Sequence, residues 1–312
     1  MRSSELDYHL PPELIAQRPT ERRDASRLLL YDRASGLVEH RAFAELPDLI
    51  GGALTVVNDT RVIPARLRRR RDTGGAVEIL LLEQDDDDTW LALARPSRRL
   101  RPGEILEDVT LVEPLGGGRW RIRVAGAPAG EVPLPPYVHE RLDDVERYQT
   151  VYAEHAGSAA APTAGLHFTD GMLGRLDHER VTLHVGLDTF RPLATETVEE
   201  HELHGERYSV EDGAWERIAE AARVLAVGTT TTRVVETVSR TGELAGRSAL
   251  FITPGFSFRR VDHLLTNFHL PRTSLLALVM AFAGVEETRR LYRVAIDERY
   301  RFYSFGDAML LL

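Results

Sequence analysis

Val224-Leu225-Ala226-Val227-Gly228-Thr229-Thr230-Thr231-Thr232-Arg233 is a short apolar run, a glycine, four threonines and a cation. Residues 225–227 read as a buried strand and residues 232–239 as a helix, with Gly228 at the turn between them. Strand followed directly by helix is the building unit of an α/β protein. Gly228 lets a ligand approach the backbone closely, and the amides and hydroxyls after it stand at a helix N-terminus, a place suited to carboxylate or phosphate. The competing reading is a strand-to-helix turn capped by threonine. It is not a P-loop, and no G-x-G-x-x-G occurs in the chain.

Outward from this stretch the texture stays α/β. Residues 215–224 read as an amphipathic helix with Trp215, Ile218, Ala219 and Ala222 on one face. Residues 251–252 read as a strand, 274–283 as an apolar helix closed by Gly284, and 286–299 as a last amphipathic helix. Towards the N-terminus, residues 28–31 and 54–57 read as strands. Between 65 and 148 the texture changes to short strands at 77–83, 90–94, 109–112 and 119–124. Turns such as Asp72-Thr73-Gly74-Gly75 and Gly116-Gly117-Gly118 separate them, and no helix pattern appears. The expected fold class is α/β: an α/β catalytic domain formed by both ends of the chain (1–64 and 149–312), interrupted by a small all-β barrel domain (65–148).

Composition narrows the chemistry. The chain has 312 residues, no Cys, and a net charge of −9; all 39 of its Lys+Arg positions are Arg. Thiolate metal sites, cysteine nucleophiles, Schiff-base lysines and Ser–Lys dyads are excluded. The first twelve residues carry no apolar signal core, and the longest apolar run, 275–283, is far below the roughly 20 residues of a membrane span. The expectation is a cytoplasmic protein without a membrane partner. Eight of the eleven histidines follow Thr150, so proton chemistry is sought in the second half.

Three further stretches invite chemistry. Ala161-Pro162-Thr163-Ala164-Gly165-Leu166-His167-Phe168 places an imidazole and a ring among small residues, as either a plain turn or a stacking site for a flat heterocycle. His201-Glu202-Leu203-His204-Gly205-Glu206, with His184, offers a metal set, but its histidines are three apart rather than the four of H-E-x-x-H; the alternative is a hydrogen-bonded acid/base cluster. Thr266-Asn267-Phe268-His269-Leu270-Pro271 is a second Asn/His/aromatic turn. Two arginine clusters, at 66–71 and 95–101, fall in the barrel segment and read as an RNA face or as solvated surface.

These blocks, in this order, resemble the S-adenosylmethionine:tRNA ribosyltransferase-isomerases of queuosine biosynthesis. The resemblance rests on residues 58–67 (Asn58-Asp59-Thr60-Arg61 at its start), 133–137, 148–152, 160–168, 182–186, 226–233, 254–256, 266–271, 300–302 and 306–309. It covers nearly the whole chain. The segment between Leu173 and Val181 is shorter than the family's, Gly205 stands where the family often has Ser, and the barrel matches weakly. The resemblance implies an α/β domain interrupted by a β-barrel. It also implies transfer and isomerisation of the ribosyl part of S-adenosylmethionine onto 7-aminomethyl-7-deazaguanine at the tRNA wobble position, giving epoxyqueuosine, adenine and methionine. S-adenosylmethionine is then a consumed co-substrate, with no prosthetic group, and the expected state is a monomer.

In that chemistry a base takes a proton from the 5′ carbon beside the sulfonium and an acid protonates the leaving adenine. No metal is required, since the leaving groups are already activated. The expected proton carriers are His167, His204 and His269, with Glu206 and Asp59 orienting or replacing them. Arg61, Thr163, Gly165, Phe168, Gly228, Thr229, Thr230, Thr231, Asn267, Phe268 and Asp307 are expected to bind substrate, with the Gly228 turn on the methionine carboxylate and Phe168 or Phe268 stacking on a base. Arg66, Arg68, Arg69, Arg70, Arg95, Arg98 and Arg99 are expected on the RNA. Two other classes remain: a metal-dependent hydrolase using His184, His201 and His204, and a non-catalytic tRNA-binding module.

Overall fold

Four parallel strands form the centre of the protein in a computed structural model, which describes residues 1–85, 88–186, 193, 195–201 and 205–312. They are β12 (His178–Leu183), β3 (Leu54–Asn58), β14 (Val224–Val227) and β16 (His263–Asn267). β17 (Ala308–Leu311) runs antiparallel to β16, and β1 (Arg27–Tyr31) and β2 (Val38–Ala42) extend that side. β13 (Glu206–Ser209) and β15 (Ala245–Ser248) extend the other. The full order is β15-β13-β12-β3-β14-β16-β17-β1-β2.

The sheet is covered on both faces, which is why its strands are apolar without alternation. Leu54, Val56, Val224, Ala226, Leu264 and Met309 point into one core, shared with α3 (Asp212–Glu220), α4 (Thr229–Thr241), α5 (Ser274–Ala283) and α6 (Val285–Asp297). Their neighbours Val57, Leu225, Val227, Leu265 and Leu310 point into a second core, under α1 (Leu46–Leu49) and α2 (Asp170–Leu173). Among the described residues no helix is long and apolar enough to cross a membrane.

The segment between β3 and β12 forms a separate antiparallel sheet, in the order β5-β6-β7-β10-β9-β8. Its strands are β5 (Arg66–Arg70), β6 (Ala76–Gln84), β7 (Thr89–Arg95), β8 (Ile105–Leu106), β9 (Val109–Gly116) and β10 (Arg119–Val124). Alternate residues such as Val77, Ile79 and Leu81 fill its interior with Trp90 and Trp120. Arg69 of β5 reaches Asp108 at the start of β9, so the sheet curls into a nearly closed barrel. A parallel pair, β4 (Thr60–Val62) and β11 (His155–Ser158), is the neck through which the chain enters and leaves.

Three local expectations are corrected. The helix expected at 215–224 is α3, three residues earlier; Ala214 and Ile218 are its buried positions, whereas Ala219 and Ala222 are exposed. Its nine residues end before β14, which takes Val224 as a strand residue. The helix expected from Thr232 begins at Thr229, and within it threonine hydroxyls bond back one turn, Thr231 to the Val227 carbonyl (2.7 Å) and Thr232 to that of Gly228 (3.1 Å). Residues 251–252 are not a strand; the edge strand is β15.

Candidate active site

Parallel strands align their carboxyl ends, and here that gathers residues far apart in sequence. β3 ends at Asn58, β12 leads to His184, β14 to Gly228, and β16 ends at Asn267. Ligands of open α/β sheets bind at this edge. The Asn58 amide ties three of the elements together. Its Oδ1 accepts from the amides of Leu183 (3.0 Å) and Thr60 (3.2 Å), and its Nδ2 donates to the Leu183 carbonyl (3.0 Å) and Thr230 Oγ1 (3.3 Å).

A cavity of about 550 Å³ opens between this edge and the barrel, within the size range of small-molecule sites. The barrel contributes Glu83, Leu91, Leu93 and Arg119. The α/β side contributes His184, Glu206, Arg233, Phe251 and the first two residues of α4, Thr229 and Thr230. Thr231, fully buried, faces the Val227 carbonyl instead. Gly228 has φ +89°, a conformation open chiefly to glycine, and it delivers the start of a thirteen-residue helix to the cavity wall.

Charge in the cavity is arranged in pairs. The Arg233 guanidinium holds Glu206 and donates to the carbonyls of Leu250 (3.0 Å) and Ser248 (2.8 Å). Glu206 also accepts from the Gly186 amide (2.8 Å). Glu83 of the barrel receives Arg207 at 2.6 Å and Arg247 at 2.5 Å, an ionic link between barrel and sheet. The His184 ring lies on the backbone of Gly157, where an added Cβ would stand 2.8 Å from Cε1. Its Nδ1 is 2.9 Å from Thr60 Oγ1. Burial, then the neighbouring His155 and Arg207, depress its pKa, so the ring is neutral at neutral pH.

Other expected residues form a second, sealed group. His167 is buried with Nδ1 2.8 Å from Ser26 Oγ and Nε2 3.1 Å from Asn267 Nδ2. Asn267 Oδ1 accepts from Thr163 (3.0 Å), which fixes the amide so that Nδ2 donates to the ring. Asp307 caps the neighbouring backbone at Arg27 (3.0 Å) and Arg301 (2.8 Å). His269 is buried against Thr266 Oγ1 (2.7 Å). Burial pushes both imidazoles down to about 3. Phe168 and Phe268 are fully buried: Phe168 packs edge-on against Phe43 and Tyr152, Phe268 against Tyr292 and Tyr300. Neither presents a free face for stacking; Phe251 is the aromatic ring that lines the cavity. A Cβ at Gly165 would overlap the Tyr152 hydroxyl, so packing alone already restricts this position to glycine.

Asp59 is buried and holds Thr182 (2.7 Å) and His155 (3.2 Å), next to the cavity but not in its wall. Arg61 forms a two-pronged pair with Glu146 at 2.8 and 2.9 Å. His204 lies outside the described residues. Of the other two candidate metal ligands, His184 is held by Thr60 and His201 lies edge-on to Phe251. Among the described residues no three His, Asp or Glu side chains converge as a metal site.

The arginines divide as well. Arg69 is a buried partner of Asp108 and the Ala129 carbonyl, which corrects its place on an RNA face. Arg68 pairs with Glu131 (3.3 Å), Arg71 with Glu104 (2.6 Å), and Arg70 reaches back to Gly74. Arg66 is half-buried. Arg95, Arg98 and Arg99 are not buried, and no carboxylate pairs with them among the described residues.

Sequence reading missed Glu83, Arg207, Arg247 and Phe251, and weighed His184 only as a metal ligand. Glu83 lies on β6 of the barrel, Arg207 on β13, Arg247 on the edge strand β15 and Phe251 in a loop, so their convergence depends on how the barrel docks. The profile of the queuosine biosynthesis protein family matches residues 3–311. The chain is 53% identical to the S-adenosylmethionine:tRNA ribosyltransferase-isomerase of Rubrobacter xylanophilus, over 100% of this chain and 98% of that one. It is 49% identical to the enzyme of the same name from Symbiobacterium thermophilum, over the full length of both. The crystal structure of the S-adenosylmethionine tRNA ribosyltransferase from Thermotoga maritima superposes with a TM-score of 0.58 at 37% identity, covering 99% of this chain and 100% of that one. With a matched profile from end to end and relatives aligned over their whole length, the chain belongs to the queuosine biosynthesis protein family.

Proposed function

We propose that the protein transfers and isomerises the ribosyl moiety of S-adenosylmethionine onto 7-aminomethyl-7-deazaguanine at the tRNA wobble position, releasing adenine and methionine. The observation that carries this reading is the cavity between barrel and sheet. It joins a helix start suited to a carboxylate and a ring able to stack on adenine. In this reading the methionine carboxylate sits at Thr229 and Thr230, where the helix dipole and unpaired amides favour negative charge. Phe251 flanks the adenine. S-adenosylmethionine is consumed and no prosthetic group or metal is needed, because sulfonium and protonated adenine are already good leaving groups. The tRNA substrate sets the protein in the cytoplasm.

The test is to incubate the protein with S-adenosylmethionine and tRNA carrying the aminomethyl base, with and without EDTA. Free adenine and methionine in equal amounts, unaffected by chelation, are expected. RNA binding with intact S-adenosylmethionine would instead make the protein a binding module, and activity lost to EDTA and restored by zinc would bring back the metal reading.

A further inference from the structure

We infer that His184 is the general base that removes the 5′ proton of S-adenosylmethionine, an inference that rests on the function proposed above. His167 and His269 are sealed off with hydroxyl and amide partners, whereas His184 lines the cavity. Its hydrogen bonding accommodates the tautomer that a base at Nε2 requires. With the Thr60 hydroxyl donating to the His155 carbonyl (3.4 Å), its oxygen accepts from His184 Nδ1–H at 2.9 Å, and this is the tautomer the inference assigns. Nε2 then carries the lone pair. No group among the described residues pairs with Nε2, and Gly157 keeps the ring flat on the neck backbone. In the step itself the 5′ C–H bond breaks, its electron pair stays on the carbon beside the positive sulfur, and the proton moves to Nε2. Burial, His155 and Arg207 keep the resting ring neutral, and Asp59 and Glu83 offset part of that cost when the imidazolium forms. The arrangement is a base that is empty at rest, with its proton-accepting nitrogen turned to the cavity.

The experiment compares wild type with H184Q and T60V, measuring adenine release, S-adenosylmethionine affinity, tRNA affinity and melting temperature. Wild type without adenine release would overturn the proposed function itself, before any variant is considered. With wild type active, H184Q is expected to bind both substrates within about threefold and to release adenine at least ~100-fold more slowly, the range of a lost general base. T60V loses the Nδ1 anchor and is expected to lower kcat about tenfold with KM unchanged, as for one hydrogen bond. Adenine release by folded H184Q within about tenfold of wild type would overturn the assignment. If H184Q does not fold, T60V with wild-type kcat would overturn it equally.

Discussion

His167 and His184 begin alike and end differently. Each ring has Nδ1 against a hydroxyl, Ser26 at 2.8 Å and Thr60 at 2.9 Å. The second nitrogen of His167 is closed by Asn267, and the ring is packed on Phe43; His184 instead faces a cavity. Residue type and sequence neighbourhood do not separate a structural histidine from a working one here. The atoms left over after the fold has satisfied its own hydrogen bonds do.

The largest expected effect tests the open side. Arg233 and Glu206 are each about one-tenth exposed as side chains. Arg233→Met leaves a carboxylate buried without its cation, a change that costs about 3–5 kcal/mol. Urea unfolding should show a stability loss of that size. A loss below about 1 kcal/mol would mean that water reaches Glu206 freely and the cavity wall is not built on this pair.

The sealed side has a pH signature. His167 and His269 titrate at about 3 when folded and near 6.5 when unfolded. Between those values the unfolded chain binds two protons that the folded chain does not, so stability falls as pH falls below about 6.5 and is unaffected above it. At pH 5.5 the two together cost about 3 kcal/mol relative to pH 7.5. His167→Gln should remove about half of that dependence. An unchanged slope between pH 7.5 and 5.5 would show that His167 is not sealed.

Much of this was legible in the sequence, for physical reasons. The parallel strands announce themselves because burial on both faces demands continuous apolar runs, as in Val224-Leu225-Ala226-Val227. The barrel strands announce themselves by alternation and glycine turns. Family blocks located the strand ends that line the site. Side-chain roles were less legible. Phe168 and Phe268 look like stacking rings until tertiary packing closes over them, and Arg69 looks like a phosphate ligand until Asp108 arrives from 39 residues away. Glu83 and Phe251 carry no local signal, since only docking of barrel and sheet gives them a common cavity.

Gly228 sits between the two regions: its amide bonds to Leu265 (2.7 Å), and its missing Cβ would meet Ala164 of the His167 loop at an ordinary 3.6 Å. Space is therefore available, and the constraint is φ +89°. Gly228→Ala should cost about 1–3 kcal/mol of stability through backbone strain. The folded variant should bind S-adenosylmethionine within about threefold of wild type. Normal stability with a large loss of affinity would mean instead that the ligand packs directly on this glycine.

The same division between satisfied and leftover groups runs through the barrel arginines, where the expected effects on folding are smallest. Arg95, Arg98 and Arg99 have no carboxylate partner among the described residues, so a phosphate is the counter-charge still open to them. Replacing all three with Gln should leave stability within about 0.5 kcal/mol, as for surface positions. It should also reduce the dependence of tRNA affinity on salt by about 1 in log–log slope for each phosphate that these side chains no longer neutralise. Arg68→Gln removes an exposed pair with Glu131 and should change stability by less than about 1 kcal/mol and the salt slope hardly at all. Arg69→Gln should do the reverse of the triple change, lowering stability through the stranded Asp108 while the slope stays as it was. A salt slope that falls equally for Arg69→Gln and for the triple variant would show that ion pairing in the free protein does not decide which arginines meet the RNA.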